Sequence, residues 1–200
     1  MTHPPKLKRG RPKKLNREET LRIAMEAYWH SDPGDVSLNR ICEVAGVSKP
    51  ALYREFESED GLMRAVLDRY SDEVLSDIQK ILARGASLAE TLDALGVFAG
   101  EEQKMATGCV FYKMRAGKHR LGPKTSARVT DITEGAVAGF AAFLSHRREA
   151  GDWQGREDPA TAGRYLFEQI GLALTQRAAG EAEEHVRAGL AMAFASLLRP

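Results

Sequence analysis

Two hundred residues, 43% hydrophobic and 28% charged, with 29 Lys and Arg against 28 Asp and Glu, form an ordinary globular composition. At roughly 100–200 residues per domain the length allows one domain or two small ones with a real core, and no apolar run approaches the ~18 residues a membrane span needs. The basic N-terminus lacks the apolar stretch of a secretory signal, so a cytoplasmic protein with no membrane partner is expected. Cys42 and Cys109 have no CxxC partner, which rules out a disulfide scaffold and a structural zinc site. The five histidines are scattered, and no GxSxG, GxGxxG or GxxxxGK[ST] occurs. The sequence therefore offers no catalytic residue, no cofactor and no metal site, and an enzyme is not expected.

The charge is unevenly spread. Residues 1–17 carry seven Lys and Arg and no acid, on a chain whose formal net charge is +1. Such an arm is either a solvated tail or a tethered contact for a polyanion. Gly10-Arg11-Pro12 favours the second reading: Pro holds the chain extended, Gly permits close backbone approach, and Arg suits a narrow minor groove. Arg9 and Arg11 are the candidate contacts in this arm.

The rest reads as helix, with no alternating strand pattern and no repeat, so an all-α fold is expected. Asn16-Arg17-Glu18-Glu19 is a capping-box start for a first helix over Arg17–His30. Ser31-Asp32-Pro33-Gly34-Asp35 ends it. Ser37 is the cap of a short second helix with Leu38, Ile41 and Ala45 inward, closed by Gly46. Ser48 caps a third, with Pro50 tolerated in its first turn and Leu52 and Phe56 as its buried face. Two short helices joined by a tight Gly turn make a helix-turn-helix. Ser58 then caps a long helix to Leu82, about 37 Å at 1.5 Å per residue and long enough to act as a lever. Further helices are expected over 87–98, 109–115, 126–149, 159–178 and 181–198, with breaks at 117–123 and 151–158.

In a helix-turn-helix the first turns of the second helix reach base edges. Those residues are Ser48, Lys49, Pro50, Ala51 and Arg54. Lys49 and Tyr53 share a face opposite Leu52 and Phe56 and suit phosphate oxygens or a guanine edge; Pro50 and Ala51 offer apolar contact. Ser37 and the amides beside it suit a phosphate. Each has a bland alternative: Tyr53 packing on the first helix, Arg54 solvated or paired with Glu57, Cys42 a small core residue.

The stretch from Ser37 to Phe56, above all Ala45-Gly46-Val47-Ser48-Lys49 with Leu52, Tyr53 and Phe56, resembles the TetR family of one-component transcriptional regulators. The continuation through Ser58, Leu62, Ala65 and Val66 is also similar. The resemblance covers about residues 17–70 and implies a homodimer that binds a double-stranded DNA operator and releases it on taking up a small-molecule effector. A ligand-independent DNA-binding or architectural protein is the alternative. Residues 1–15 are then a flexible basic arm, 16–70 the DNA-binding domain, and 71–200 the effector-binding and dimerisation domain. Two positions depart from the family pattern: Glu55 precedes the motif phenylalanine, and Glu59 follows Ser58, both carboxylates that DNA repels.

In the C-terminal part, Phe98, Cys109, Phe111, Tyr112, Met114, Phe140 and Phe143 gather aromatics and sulfur, some as core and some as candidate lining of an effector pocket, with Tyr112, Arg115 and His119 as polar groups at its edge. Lys113 and Arg115 would be the groups that activate Cys109 as a redox sensor, should it be one. Leu166, Ile170 and Leu174, followed by Val186, Leu190, Phe194 and Leu197, form two apolar stripes that suit either a symmetric four-helix dimer interface or an internal core.

If the arm supplies the affinity that Glu55 and Glu59 remove, deleting residues 1–14 weakens DNA binding and flattens its dependence on log[salt], by about 0.9 for each phosphate that is no longer neutralised. Filter-binding titrations between low and moderate salt measure that slope, and an unchanged slope removes the arm from the interface.

Overall fold

A computed structural model of the chain describes residues 15–102 and 105–198, so the basic arm, with Arg9 and Arg11, lies outside the described residues. Those residues form helices and connecting turns, with no strand among them. α1 runs Arg17–His30, capped by Asn16, whose side chain accepts from the Glu19 amide at 3.2 Å. A 3-10 turn at Pro33–Asp35 leads to α2 (Leu38–Ala45), which ends at Gly46 in the left-handed region, φ 66°. α3 (Lys49–Phe56) follows, with Ser48 accepting from the Ala51 amide. Leu21, Tyr28, Ile41, Leu52 and Phe56 close this three-helix head against one another.

The long fourth helix has the expected path but not a uniform winding. α4 (Glu59–Tyr70) passes through a π turn at Ser71–Leu75 into α5 (Ser76–Leu82), and the Ser76 amide reaches back five residues to the Ser71 carbonyl. A π bulge takes up one extra residue, but the apolar steps across it (Val66, Tyr70, Val74, Ile78, Ile81) are still of four and three, so periodicity alone does not reveal it. α6 (Leu88–Gly100) starts with a reciprocal capping box between Ser87 and Glu90. α7 (Val110–Ala116), α8 (Pro123–Glu149), α9 (Pro159–Ala178) and α10 (Glu183–Ala195) complete the body. α8 and α9 pack along their lengths, and a methyl group added at Gly163 would sit 2.7 Å from the Ala141 nitrogen. In the break before α9, Trp153 is buried and donates to the Leu197 carbonyl at 3.0 Å.

α8 begins three residues earlier than its sequence suggests. Pro123 fits the first turn, where amides lack intrahelical partners, but Gly122 has no side chain to cap them. The cap comes from α4. The Asp60 carboxylate accepts from the Lys124 and Thr125 amides at 2.9 and 3.0 Å and from the Thr125 hydroxyl at 2.6 Å. A Cβ at residue 122 would overlap that carboxylate, which is why glycine stands there. Partial burial pushes the Asp60 carboxyl up, but the bonds from Thr125 and Lys124 outweigh it and hold it below the ordinary carboxylate range. Around this contact lie further ties between head and body: Arg120 Nη2 donating to both Asp32 carboxylate oxygens at 2.8 and 2.9 Å, Lys124 on Glu57, Lys113 on the Trp29 carbonyl, and the Trp29 indole on the Gly108 carbonyl at 2.9 Å.

The stripes assigned to a dimer interface turn inward. Leu166, Ile170, Leu174, Val186, Leu190, Phe194 and Leu197 are each at most 4% exposed, because α9 packs on α8 and α6 while α10 packs on α6 and α9. The chain's own helices cover these side chains, so they are core and not a subunit surface. The outward apolar residues of this layer are Leu172, Met192 and Leu198.

Replacing Asp60 by Ala orphans the Lys124 and Thr125 amides and is expected to cost about 1–2 kcal/mol at pH 7, as loss of a helix cap does. A carboxyl with a depressed folded-state pKa stabilises above its unfolded value and loses that contribution as pH falls. The Tm gap between native and Asp60→Ala proteins, read by thermal denaturation, should thus narrow as the pH falls below the ordinary carboxylate range; a gap independent of pH would refute the cap.

Candidate nucleic-acid interface

α3 is held by its inner face and free on its outer one. Leu52 and Phe56 are buried, while Pro50, Tyr53 and Arg54 are exposed and Lys49 and Ala51 half-exposed. Tyr53 is 42% exposed, so it does not pack under α1. Arg54 does not pair with Glu57, whose carboxylate is taken by Lys124 on α8. Among the described residues Lys49 and Arg54 make no ion pair, which leaves two cations facing outward one and a half turns apart. The Ser48 hydroxyl is engaged in capping α3. Ser37 stands at the N-cap position of α2 without a side-chain capping bond, exposed beside the free amides of that helix.

The two carboxylates that depart from the family pattern differ. Glu55 is bridged by Arg17 Nε at 3.3 Å, and the same guanidinium lies 5.6 Å from the Phe56 ring centroid, so α1 offsets part of that charge locally. Glu59 sits in the first turn of α4, where Ser58 accepts from the Gly61 amide at 3.0 Å and the helix dipole favours an acid. The junction of α3 and α4 is tight. Glu57 has φ 67°, the Ser58 amide bonds the Phe56 carbonyl at 2.8 Å, and Gly61 has no side chain to strike that carbonyl.

Behind the head, a cavity of about 260 Å³ opens between α5 and α8. Of the aromatic and sulfur residues proposed from the sequence, Phe111, Tyr112 and Phe140 line it. Phe98, Met114 and Phe143 do not; they are buried in the surrounding core. Tyr112 does not offer a free polar tip, because its hydroxyl donates to the Phe167 carbonyl at 2.7 Å, its ring occupying space that Gly171 leaves open. Arg115 is locked bidentate on Glu168 at 2.7 and 2.9 Å over the Phe167 ring, and His119 lies in a separate 3-10 turn.

The sequence reading missed the other wall of the cavity: Leu75, Ile78 and Leu82 from the π turn and α5, Phe167 and Ile170 from α9, and Arg128 and Asp131 on α8. Ile170 belongs to this wall as well as to the core. One signal was available. Gly135 and Gly139 lie inside α8 with open space where a Cβ would stand, and each glycine inside a helix costs about 1 kcal/mol against alanine, so two of them four residues apart mark this strip.

Cys109 lies in a different, shallower recess with Asp32, Lys113 and Leu174. Burial pushes its thiol up, despite the hydrogen bond from Tyr70 and the nearby Lys113, and burial does the same to Cys42.

These features, a three-helix head that presents α3 outward and a cavity in a helical body, are the layout of a helix-turn-helix protein. Residues 21–66 match the sequence pattern of bacterial regulatory proteins of the tetR family. A stretch of 67 residues is 45% identical to the HTH-type transcriptional repressor ComR of Escherichia coli (strain K12); it covers 34% of this chain and 32% of ComR, so the match spans about a third of that repressor. The fold extends the likeness to the whole chain. The regulatory protein TetR from Rhodobacter sphaeroides superposes with a TM-score of 0.80 at 14% identity, over 91% of this chain and 98% of that one. A cysteine-substituted TetR family regulator CifR, solved with a 26-bp double-strand operator DNA, gives 0.77 at 18% identity over 93% and 99%. The sequence match thus lies in the helix-turn-helix head, and the whole chain shares the fold of these solved regulators.

Because both thiols are buried and raised, a thiol-reactive probe added to the folded protein at pH 7.5 is expected to leave Cys42 and Cys109 unlabelled until denaturant is added. Rapid labelling of Cys109 in the native state, followed by mass spectrometry, would restore it as a sensor.

Proposed function

We propose that the protein is a cytoplasmic, homodimeric transcriptional repressor that binds an operator through α3 and lets it go when a small molecule fills the α5–α8 cavity. It acts by binding and not by catalysis. The observation that carries the reading is the outward face of α3, where Lys49, Tyr53 and Arg54 stand free while Leu52 and Phe56 anchor the helix. In the major groove, Lys49 and Arg54 meet phosphates or guanine edges, Pro50 and Ala51 meet thymine methyls, and Tyr53 and Ser48 donate to phosphates. The amides and hydroxyl at Ser37 take a further phosphate, and Arg9 and Arg11 of the arm enter the adjacent minor groove.

Dimerisation falls to the outward seam of α9 and α10, where Leu172 and Met192 are 52% and 78% exposed. Ala188 and Gly189 lie beside Met192 on the same face and leave room for close helix approach. A symmetric pair must hold its two α3 helices about 34–36 Å apart to read half-sites one turn apart.

The cavity supports effector control over the ligand-independent alternative. Its walls are α5, which continues the head's own α4, and α8, whose first turn hangs on Asp60. A ligand wedged there moves both elements against the head. A coupling of about 1–3 kcal/mol changes operator affinity roughly 5- to 150-fold.

The test uses duplexes selected from a random library by the native chain. In fluorescence anisotropy, Lys49→Ala and Tyr53→Ala should each weaken binding by about 10- to 100-fold, and Lys49→Ala should lower the salt slope by about one if it neutralises a phosphate. Arg22→Ala, on the ion-paired outer face of α1, should change little. Full affinity in both α3 variants would overturn the reading.

A further inference from the structure

The α5–α8 cavity is chemically lopsided. Its floor is aromatic, formed by Phe111, Tyr112, Phe140 and Phe167, and along α8 the wall is bare backbone at Gly135 and Gly139. The volume equals about nine water-sized groups at ~30 Å³ each, enough for one ring and a short chain.

The polar groups at its mouth are not balanced. Arg128 is already occupied, its Nε 2.6 Å from Asp68 Oδ1. Ser71 and Gln79 on the opposite lip are neutral. Asp131, nearly one turn beyond Arg128 on α8, makes no ion pair or hydrogen bond with any described residue. The lining thus holds one cation engaged by Asp68, a carboxylate that Arg64 shares at 3.6 Å, and one anion without a partner among the described residues.

We propose that the ligand is a small amphiphilic amine, its apolar skeleton against the aromatic floor and its ammonium paired with Asp131. This rests on the reading of the cavity as the effector site. An ammonium at the mouth gains from the free carboxylate and from the negative faces of the rings below. A carboxylate ligand meets like charge at Asp131 and finds Arg128 taken by Asp68. A neutral ligand gains only the apolar contacts.

Isothermal titration of the intact chain with 4-phenylbutylamine, 4-phenylbutanol and 4-phenylbutanoate separates these cases. The amine is expected to bind about tenfold more tightly than either isostere, the combined scale of an exposed ion pair and a cation–π contact. Asp131→Asn should abolish that preference while leaving the alcohol's affinity within about twofold, and Gly139→Leu, which fills the bare wall, should weaken all three. Preference for the alcohol or the carboxylate, or a preference for the amine that survives Asp131→Asn, overturns the amine assignment and leaves the cavity reading intact. Binding that ignores Gly139→Leu, or no binding by any of the three, overturns both.

Discussion

The arrangement of this molecule depends on a carboxylate that caps a helix to which it does not belong. Asp60 sits in the first turn of α4, directly after α3, and supplies the acceptors that the start of α8 lacks. Without it, the amides of Lys124 and the buried Thr125 would be donors with no protein partner, a situation native proteins rarely tolerate in their interiors. The cap fixes where α8 starts and the angle at which it leaves the head. Lys124 on Glu57 and Arg120 on Asp32 add charge contacts around the same hinge, but these are exposed pairs of modest worth.

α8 then runs on as one wall of the cavity, and the α4–α5 rod is the other. Both walls are therefore rooted at the same residue. The π turn at Ser71–Leu75 lies where the rod leaves the head and enters the cavity wall, and it contributes Ser71 and Leu75 to the lining. Single-turn π bulges inside α-helices are frequent at functional sites. In the proposed regulator, displacement at the cavity reaches α3 through packed helices only, with no flexible linker between.

The head was legible in the sequence because its signals are local. Asn16, Ser48 and Ser58 sit immediately before their helices, Gly46 takes the left-handed turn, and Leu52 and Phe56 show spacing that leaves Lys49 and Tyr53 outside. The body was legible as helices but not as an arrangement. The cap from Asp60 to Thr125 joins residues 65 apart, and the Tyr112 hydroxyl bond to the Phe167 carbonyl joins residues 55 apart; neither leaves a trace in local pattern. The stripes of α9 and α10 read equally as core or subunit surface, since periodicity states that a face is covered and not by what. Packing put them in the core, and the large apolar residues of this layer described as exposed are Leu172, Met192 and Leu198. For the same reason the aromatic residues of α7 and α8 could not be divided into lining and filler until α5 was placed beside them.

The bare strip at Gly135 and Gly139 separates two evolutionary tasks. Each position is open enough to accept a larger side chain without disturbing neighbouring backbone, and neither touches α3. In the proposed regulator, chemical vocabulary would then drift, methyl by methyl, along one edge of α8 while α3 keeps its sequence, so that a lineage carrying this scaffold would change which compound it senses without having to relearn which promoter it guards.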